Sequence, residues 1–205
     1  MDRSFTAPQV SAIVKMPLKA VRKAMDAGLI KPRMLRQGKL VHRMLSHAQL
    51  VYLRLEAEGV RLLPMASRRE VARAVESRPN VDTIAVSGGT AILVRVKDAR
   101  KDVERELKRL RKVEQMVVSD PEIMSGAPVF RGTRIPVDLV AAMVAQAATM
   151  EEILDGYPSL TREHLELAPL YVAAFPQRGR PPRRPWAKQE PVRVARYPRS
   201  ARTEC

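Results

Sequence analysis

Arg131 and Arg134 flank Gly132-Thr133 in the run "GAPVFRGTRIPVDLVAAM", residues 126–143. A glycine turn lets the backbone approach a neighbour closely, and a guanidinium group on each side can fork onto phosphate or carboxylate oxygens. Three readings compete for each arginine: phosphate contact, structural pairing with Asp120, Glu122 or Asp138, or a side chain simply in solvent. A second cationic group, Lys19, Arg22 and Lys23, falls in "MPLKAVRKAMDAGLIKP", and a third, Arg36, Lys39 and Arg43, in "RMLRQGKLVHRML". Catalytic patterns are absent by comparison. None of the histidines, His42, His47 and His164, has a partner at metal-ligand spacing on one helical face. No serine sits in a Gly-x-Ser-x-Gly turn, and Cys205 has no structured base beside it. Glu151-Glu152 and Asp120-Glu122 read as helix-start and turn residues. The expected chemistry is therefore recognition of polyanions, with no catalysis, no cofactor and no metal.

Composition supports that direction. The 205 residues hold Lys+Arg 37 against Asp+Glu 22, a net charge of +15, with a hydrophobic fraction of 45%. The apolar fraction is that of a folded chain with a core. The charge attracts nucleic acid over a Debye length or so. A single cysteine excludes an internal disulfide and a thiolate-rich metal site. The stretch "MDRSFTAPQV" lacks the apolar core of a signal peptide, and "VDLVAAMVAQAA" is too short and interrupted to span a bilayer. A cytoplasmic protein with no membrane role is expected.

The elements that must position these cations divide the chain into four segments, in an α+β, mainly α, fold. In residues 1–63, Thr6 with Gln9 makes a capping box for a helix that turns Val10, Ile13 and Val14 inward. Pro17 suits the first turn of a second helix, which buries Leu18, Val21 and Met25, ends at Gly28 and leaves Lys19, Arg22 and Lys23 outside. Gly38 separates two β-like runs, and Ser46 opens an amphipathic helix through Leu50, Leu53 and Leu55. "VSAIVKMPLKAVRKAMDAGLIKP", the basic wing and "SHAQLVYLRLEAEG" together resemble the winged helix-turn-helix of the MerR-like family. A helix with exposed Lys and Arg on a compact support can enter a major groove while a wing touches backbone.

Residues 64–116 form a hairpin and connecting helix. "SRRE", Ser67 to Glu70, reads as a capping box, and "VDTIAVSGGTAILVRV" alternates on both sides of Gly88-Gly89 as a tight hairpin does. A phosphate loop is the alternative for Gly88-Gly89, although no helix with a Lys-Ser/Thr pair follows. "KDARKDVERELKRLRKVEQM" is a helix with Val103, Leu107 and Leu110 on one stripe, either a packing seam or a dimer seam.

Residues 117–174 read as three short helices. Val129-Phe130 and Thr133-Arg134-Ile135 form strand-like pieces about Gly132, and Pro136 starts a helix with Val137, Val140, Ala141 and Val144 inward. Thr149 and Glu152 form a capping box ahead of buried Ile153 and Leu154, and Thr161 caps the last helix, with Leu160 and Leu165 as a hydrophobic staple. That is the logic of a helix-turn-helix. Pro169 should kink or end the last helix early. The residues "DPEIMSGAPVFRGTRIPV", then "EEILDGYPSLT" and the helix after it, resemble the family called domain of unknown function 433, small antitoxin modules of the VapB type. The resemblance implies dimerisation, DNA contact through this region, and a partner toxin of the PIN-like ribonuclease kind.

Residues 175–205, ending "PQRGRPPRRPWAKQEPVRVARYPRSARTEC", are rich in Pro and Arg and cannot bury enough apolar surface to offset ordering, so a disordered tail is expected. Trp186 and Tyr197 are typical of a binding segment. An arginine-rich tail suits the carboxylate-lined, metal-holding cleft of such a nuclease. The expectation is an antitoxin and autorepressor, a homodimer, that binds its own operator. Lys19, Arg22 and Lys23 would enter the groove and Arg36, Lys39 and Arg43 form the wing, with Arg131, Arg134, Thr161 and Arg162 as second DNA contacts. Arg180, Arg183, Arg184, Trp186, Arg193 and Arg196 would bind the toxin. A DNA-binding regulator without a toxin partner is the alternative.

Overall fold

The computed structural model describes residues 3–38, 40–86, 92–146 and 149–177. The fold is mixed α+β and mainly helical. Strand β1 (Phe5–Thr6) leads into α1 (Ala7–Val14), α2 (Leu18–Asp26), the hairpin β2 (Arg33–Gln37) and β3 (Leu40–Leu45), and α3 (His47–Glu58). Then come α4 (Met65–Ser77), the pair β4 (Thr83–Val86) and β5 (Ile92–Arg95), and α5 (Val96–Met116). Strands β6 (Val117–Val118) and β7 (Val129–Phe130) precede α6 (Val137–Ala145), α7 (Met150–Gly156) and α8 (Arg162–Ala174). The three small sheets among the described residues are antiparallel: β1-β3-β2, β4-β5 and β6-β7.

Helix α3 is the axis of the core. Leu50, Val51, Tyr52, Leu53 and Leu55 are all buried, so the helix is covered nearly all round, where the sequence suggested one apolar face. Around it pack α1, α4 and α5. The stripe Val103, Leu107 and Leu110 of α5 is buried within the chain against α3 and α8. Helix α8 in turn lies against α1, α5 and α6, and its Leu165 and Ala168 are fully buried. Buried side chains from Phe5 to Ala174 thus form one continuous core that runs through residues 63 and 116 without a break.

Local capping signals set many of the helix ends. Gln9 accepts from the Thr6 backbone N–H at 2.8 Å, and Ser46 with Gln49 and Thr149 with Glu152 form reciprocal boxes. Four expectations change. Helix α4 starts at Met65 behind Pro64, so Ser67 is buried in its first turn and caps nothing; a proline holds φ for entry two residues earlier. Residues 133–135 form no strand. The partner of β7 is β6, and only an isolated bridge, Val129 to Pro136, closes the loop, because Pro136 has no N–H to extend a ladder. Helix α8 continues through Pro169 to Ala174, since burial of Leu165, Leu167, Ala168 and Ala174 outweighs the roughly 3 kcal/mol an interior proline costs. The expected two-residue turn at Gly88-Gly89 falls on residues outside those described, but the strands that flank it pair antiparallel with Val86 opposite Ile92, a register that a two-residue Gly88-Gly89 loop does not give.

Candidate nucleic-acid interface

Three residues, Lys15, Met16 and Pro17, separate α1 from α2. Lys15 turns into the left-handed region at φ 55, and the Ser11 hydroxyl donates to the Met16 carbonyl at 2.6 Å, which fixes the angle between the helices. Helix α2 then buries Val21, Ala24 and Met25 and leaves Lys19, Arg22 and Lys23 exposed. Their spacing of three and four residues puts them on one face. None has an ion-pair partner among the described residues; Asp26, one turn beyond Arg22, is instead bound by Arg43 at 2.7 Å.

That contact ties the hairpin to α2. Register pairs Met34 with Arg43 and Arg36 with Val41, so Arg36 and Arg43 share a face of β2-β3. Gly38 turns the tip at φ 58, a conformation that costs a residue with Cβ. Arg22, Asp26, His42 and Arg43 line one cleft of about 330 Å³ between the helix and the hairpin. On that same face Met34 (59% exposed) and Val41 (56%) put apolar side chains into solvent beside the two arginines. Lys39 lies outside the described residues. Arg33, exposed at the start of β2, pairs with Met44 and so lies on the opposite face of the hairpin from Arg36 and Arg43; the sequence reading passed over it.

The second group of candidates stands apart from the first. The Arg131 backbone N–H donates to the Met116 carbonyl at 2.7 Å, and its Nε donates to the Gln115 carbonyl at 3.2 Å. These are last-turn carbonyls of α5, unpaired within the helix, so Arg131 acts as a cap supplied from a distant loop. Neither Arg131 nor Arg134 forms an ion pair among the described residues; Arg134 is exposed. In the loop between them, Thr133 Oγ1 donates to the Phe130 carbonyl at 2.8 Å and accepts from the Ile135 N–H at 3.1 Å, with Gly132 at φ 77. Thr161 Oγ1 accepts from the His164 N–H at 3.3 Å, and His164 Nδ1 accepts from the Thr161 N–H at 3.1 Å, a capping box with histidine in the usual Glu/Gln place. Burial holds the His164 imidazole below its ordinary pKa, with the Glu163 carboxylate acting the other way. Arg162 faces Glu151 at 3.4 Å. Residues 117–174 contain three arginines, Arg131, Arg134 and Arg162, no lysine, and eight carboxylates, so this unit is net negative in a chain of +15. The sequence reading missed that imbalance although counting by segment would have found it.

Arg180, Arg183, Arg184, Trp186, Arg193 and Arg196 lie outside the described residues. Among the described residues no three His, Cys, Asp or Glu side chains come together as metal ligands, and no helix is long and apolar enough to cross a membrane.

Comparison with known proteins finds partial similarities. Rv2018 from Mycobacterium tuberculosis is 18% identical, with 80% of this chain and 95% of that one covered, at a TM-score of 0.29. A DUF433 member protein from Anabaena variabilis is 32% identical over 35% of this chain and 71% of that one, at a TM-score of 0.27. The uncharacterized protein y4eO of Sinorhizobium fredii is 48% identical over 66 residues, which span 32% of this chain and 30% of that relative's length. Residues 117–172, from β6 to near the end of α8, match the family described as "Protein of unknown function (DUF433)".

Proposed function

We propose that the chain is a DNA-binding autorepressor and the antitoxin of a type II toxin–antitoxin pair, acting as a homodimer. The observation that carries the DNA part is the exposed row Lys19, Arg22 and Lys23 on α2, without an ion-pair partner among the described residues, with Arg43 of the adjoining hairpin held to the same helix through Asp26. Helix α2 enters the major groove and the hairpin, with Arg36 and Lys39, follows the phosphate backbone as a wing. Arg131, Arg134, Thr161 and Arg162 belong to a unit whose carboxylates repel phosphate, so any contact they make is secondary. The antitoxin part rests on the resemblance of residues 117–174 to antitoxin modules and on the arginine-rich residues 175–205, suited to the carboxylate cleft of a PIN-like ribonuclease.

Fluorescence anisotropy with duplex DNA from upstream of the protein's own reading frame tests the first part. Replacing both Arg22 and Lys23 by Ala should weaken binding and reduce the slope of log affinity against log salt by about two. An unchanged slope moves the DNA contact elsewhere. A chain ending at Phe175 tests the second part, and should no longer suppress the toxicity of a ribonuclease encoded beside it. Full suppression by the truncated chain removes the tail from the account, and absence of any such nuclease leaves a DNA-binding regulator without a toxin.

A further inference from the structure

Behind α2, on the side away from the hairpin, lies a cleft of about 470 Å³ between the α1–α2 turn, the end of α3 and the start of α4. Its size is within the range of about 300–1,000 Å³ common to small-molecule sites. Met16, Ala20, Ala24, Leu29 and Ala57 contribute apolar walls, and small residues from two helices leave the space open. Leu62, 82% exposed, and Met65, 41% exposed, stand at its edge as apolar surface that water covers poorly.

Four cations border this apolar space: Lys15, Lys23, Arg61 and Arg68. Two are already matched. Arg68 Nε and Nη2 each donate to the Glu56 carboxylate at 2.8 Å, and Lys15 Nζ lies 3.2 Å from Glu106 Oε1. Lys23 and Arg61 have no carboxylate partner among the described residues. Glu56, the one acid in the lining, is 4% exposed and neutralised by Arg68, so it does not repel an incoming anion. An apolar chamber with two uncommitted cations selects a ligand with one anionic end and an apolar body.

We infer that this cleft is a binding site for a small organic carboxylate, its apolar part against Met16, Ala24 and Leu29 and its charge against Lys23 and Arg61. Lys23 also belongs to the exposed face of α2, so a bound carboxylate competes with phosphate for it and weakens DNA binding. That consequence rests on the DNA-binding reading; the site does not.

Titration calorimetry on the full chain with 2-naphthoate, and with the uncharged 2-naphthamide of the same shape, tests the site without DNA. Saturable one-to-one binding of 2-naphthoate is expected, with 2-naphthamide at least tenfold weaker. Arg61→Gln should weaken 2-naphthoate tenfold, and Ala57→Leu, which fills the chamber, should abolish binding, both at an unchanged thermal midpoint. Equal affinity for the two probes, no binding of 2-naphthoate, or full affinity in both variants overturns the inference. A dimer that excludes 2-naphthoate and dissociates in Leu62→Glu, read by sedimentation, also overturns it by showing a second copy in that place.

Discussion

Glu56 shows how much a single residue can carry in this chain. Its carboxylate is 4% exposed and accepts from the Tyr52 hydroxyl and from two nitrogens of Arg68. Burial first, and the neighbouring Glu56 second, push the Tyr52 phenol well above its ordinary pKa, so Tyr52 stays a donor throughout the working range. Arg68→Ala would strand a buried charge and should cost about 3–5 kcal/mol in chemical denaturation. A loss under about 1 kcal/mol would show that water reaches the carboxylate. His164 sets a pH dependence. Unfolded, it takes up a proton near a pKa of about 6.5; folded, its depressed pKa delays that uptake to lower pH. The unfolded state therefore binds more protons as pH falls, and the stability His164 contributes above about pH 6.5 is lost as pH drops through its folded value. His164→Gln keeps an acceptor for the Thr161 N–H and should flatten the stability profile between about pH 7.5 and about pH 5.5. An identical profile in the variant would place the titration elsewhere. The Thr161 cap was legible in the sequence because it is a contact between near neighbours, and Leu160 and Leu165, expected as its staple, are both buried. The Glu56–Arg68 pair and the Arg131 clamp were not, because nothing local marks which distant group a charged side chain meets.

Elements followed local rules where ends were marked by caps and glycines, and departed from them where tertiary packing decided. Helices α1, α2 and α3 and the β2-β3 hairpin came from Thr6, Pro17, Ser46 and Gly38 much as expected. Strand β6, two residues long at the end of α5, has no periodicity to read, and its pairing with β7 emerged only in three dimensions. The arginine flanking Gly132 on the N-terminal side now has a use: Arg131 satisfies carbonyls at the end of α5 across that junction. Arg131→Ala should lower stability by about 1 kcal/mol, the net worth of one such hydrogen bond. It should leave the salt slope of DNA binding unchanged. A slope lower by about one would instead mean that its guanidinium neutralises a phosphate.

For the whole molecule, the continuous core ties the cationic front to the acidic unit through α8, which packs on α1 as well as α5 and α6. Leu165→Ala should cost about 2–5 kcal/mol and lower the stability of both regions together. Far-ultraviolet circular dichroism and tyrosine fluorescence should report one coincident urea transition. Two separate transitions, with α1–α3 surviving the first, would show that the regions fold apart. The shared core was not readable from the sequence, since the faces of α1, α5 and α8 that meet look like ordinary amphipathic stripes in isolation. The separation of charge bears most directly on function: positive on α2 and the hairpin, negative across residues 117–174. Hydrogen–deuterium exchange of the full chain with and without operator duplex tests it. DNA should protect residues 18–26 and 33–45 and leave 129–165 unchanged, and protection confined to 129–165 would contradict the assignment of the DNA-binding face.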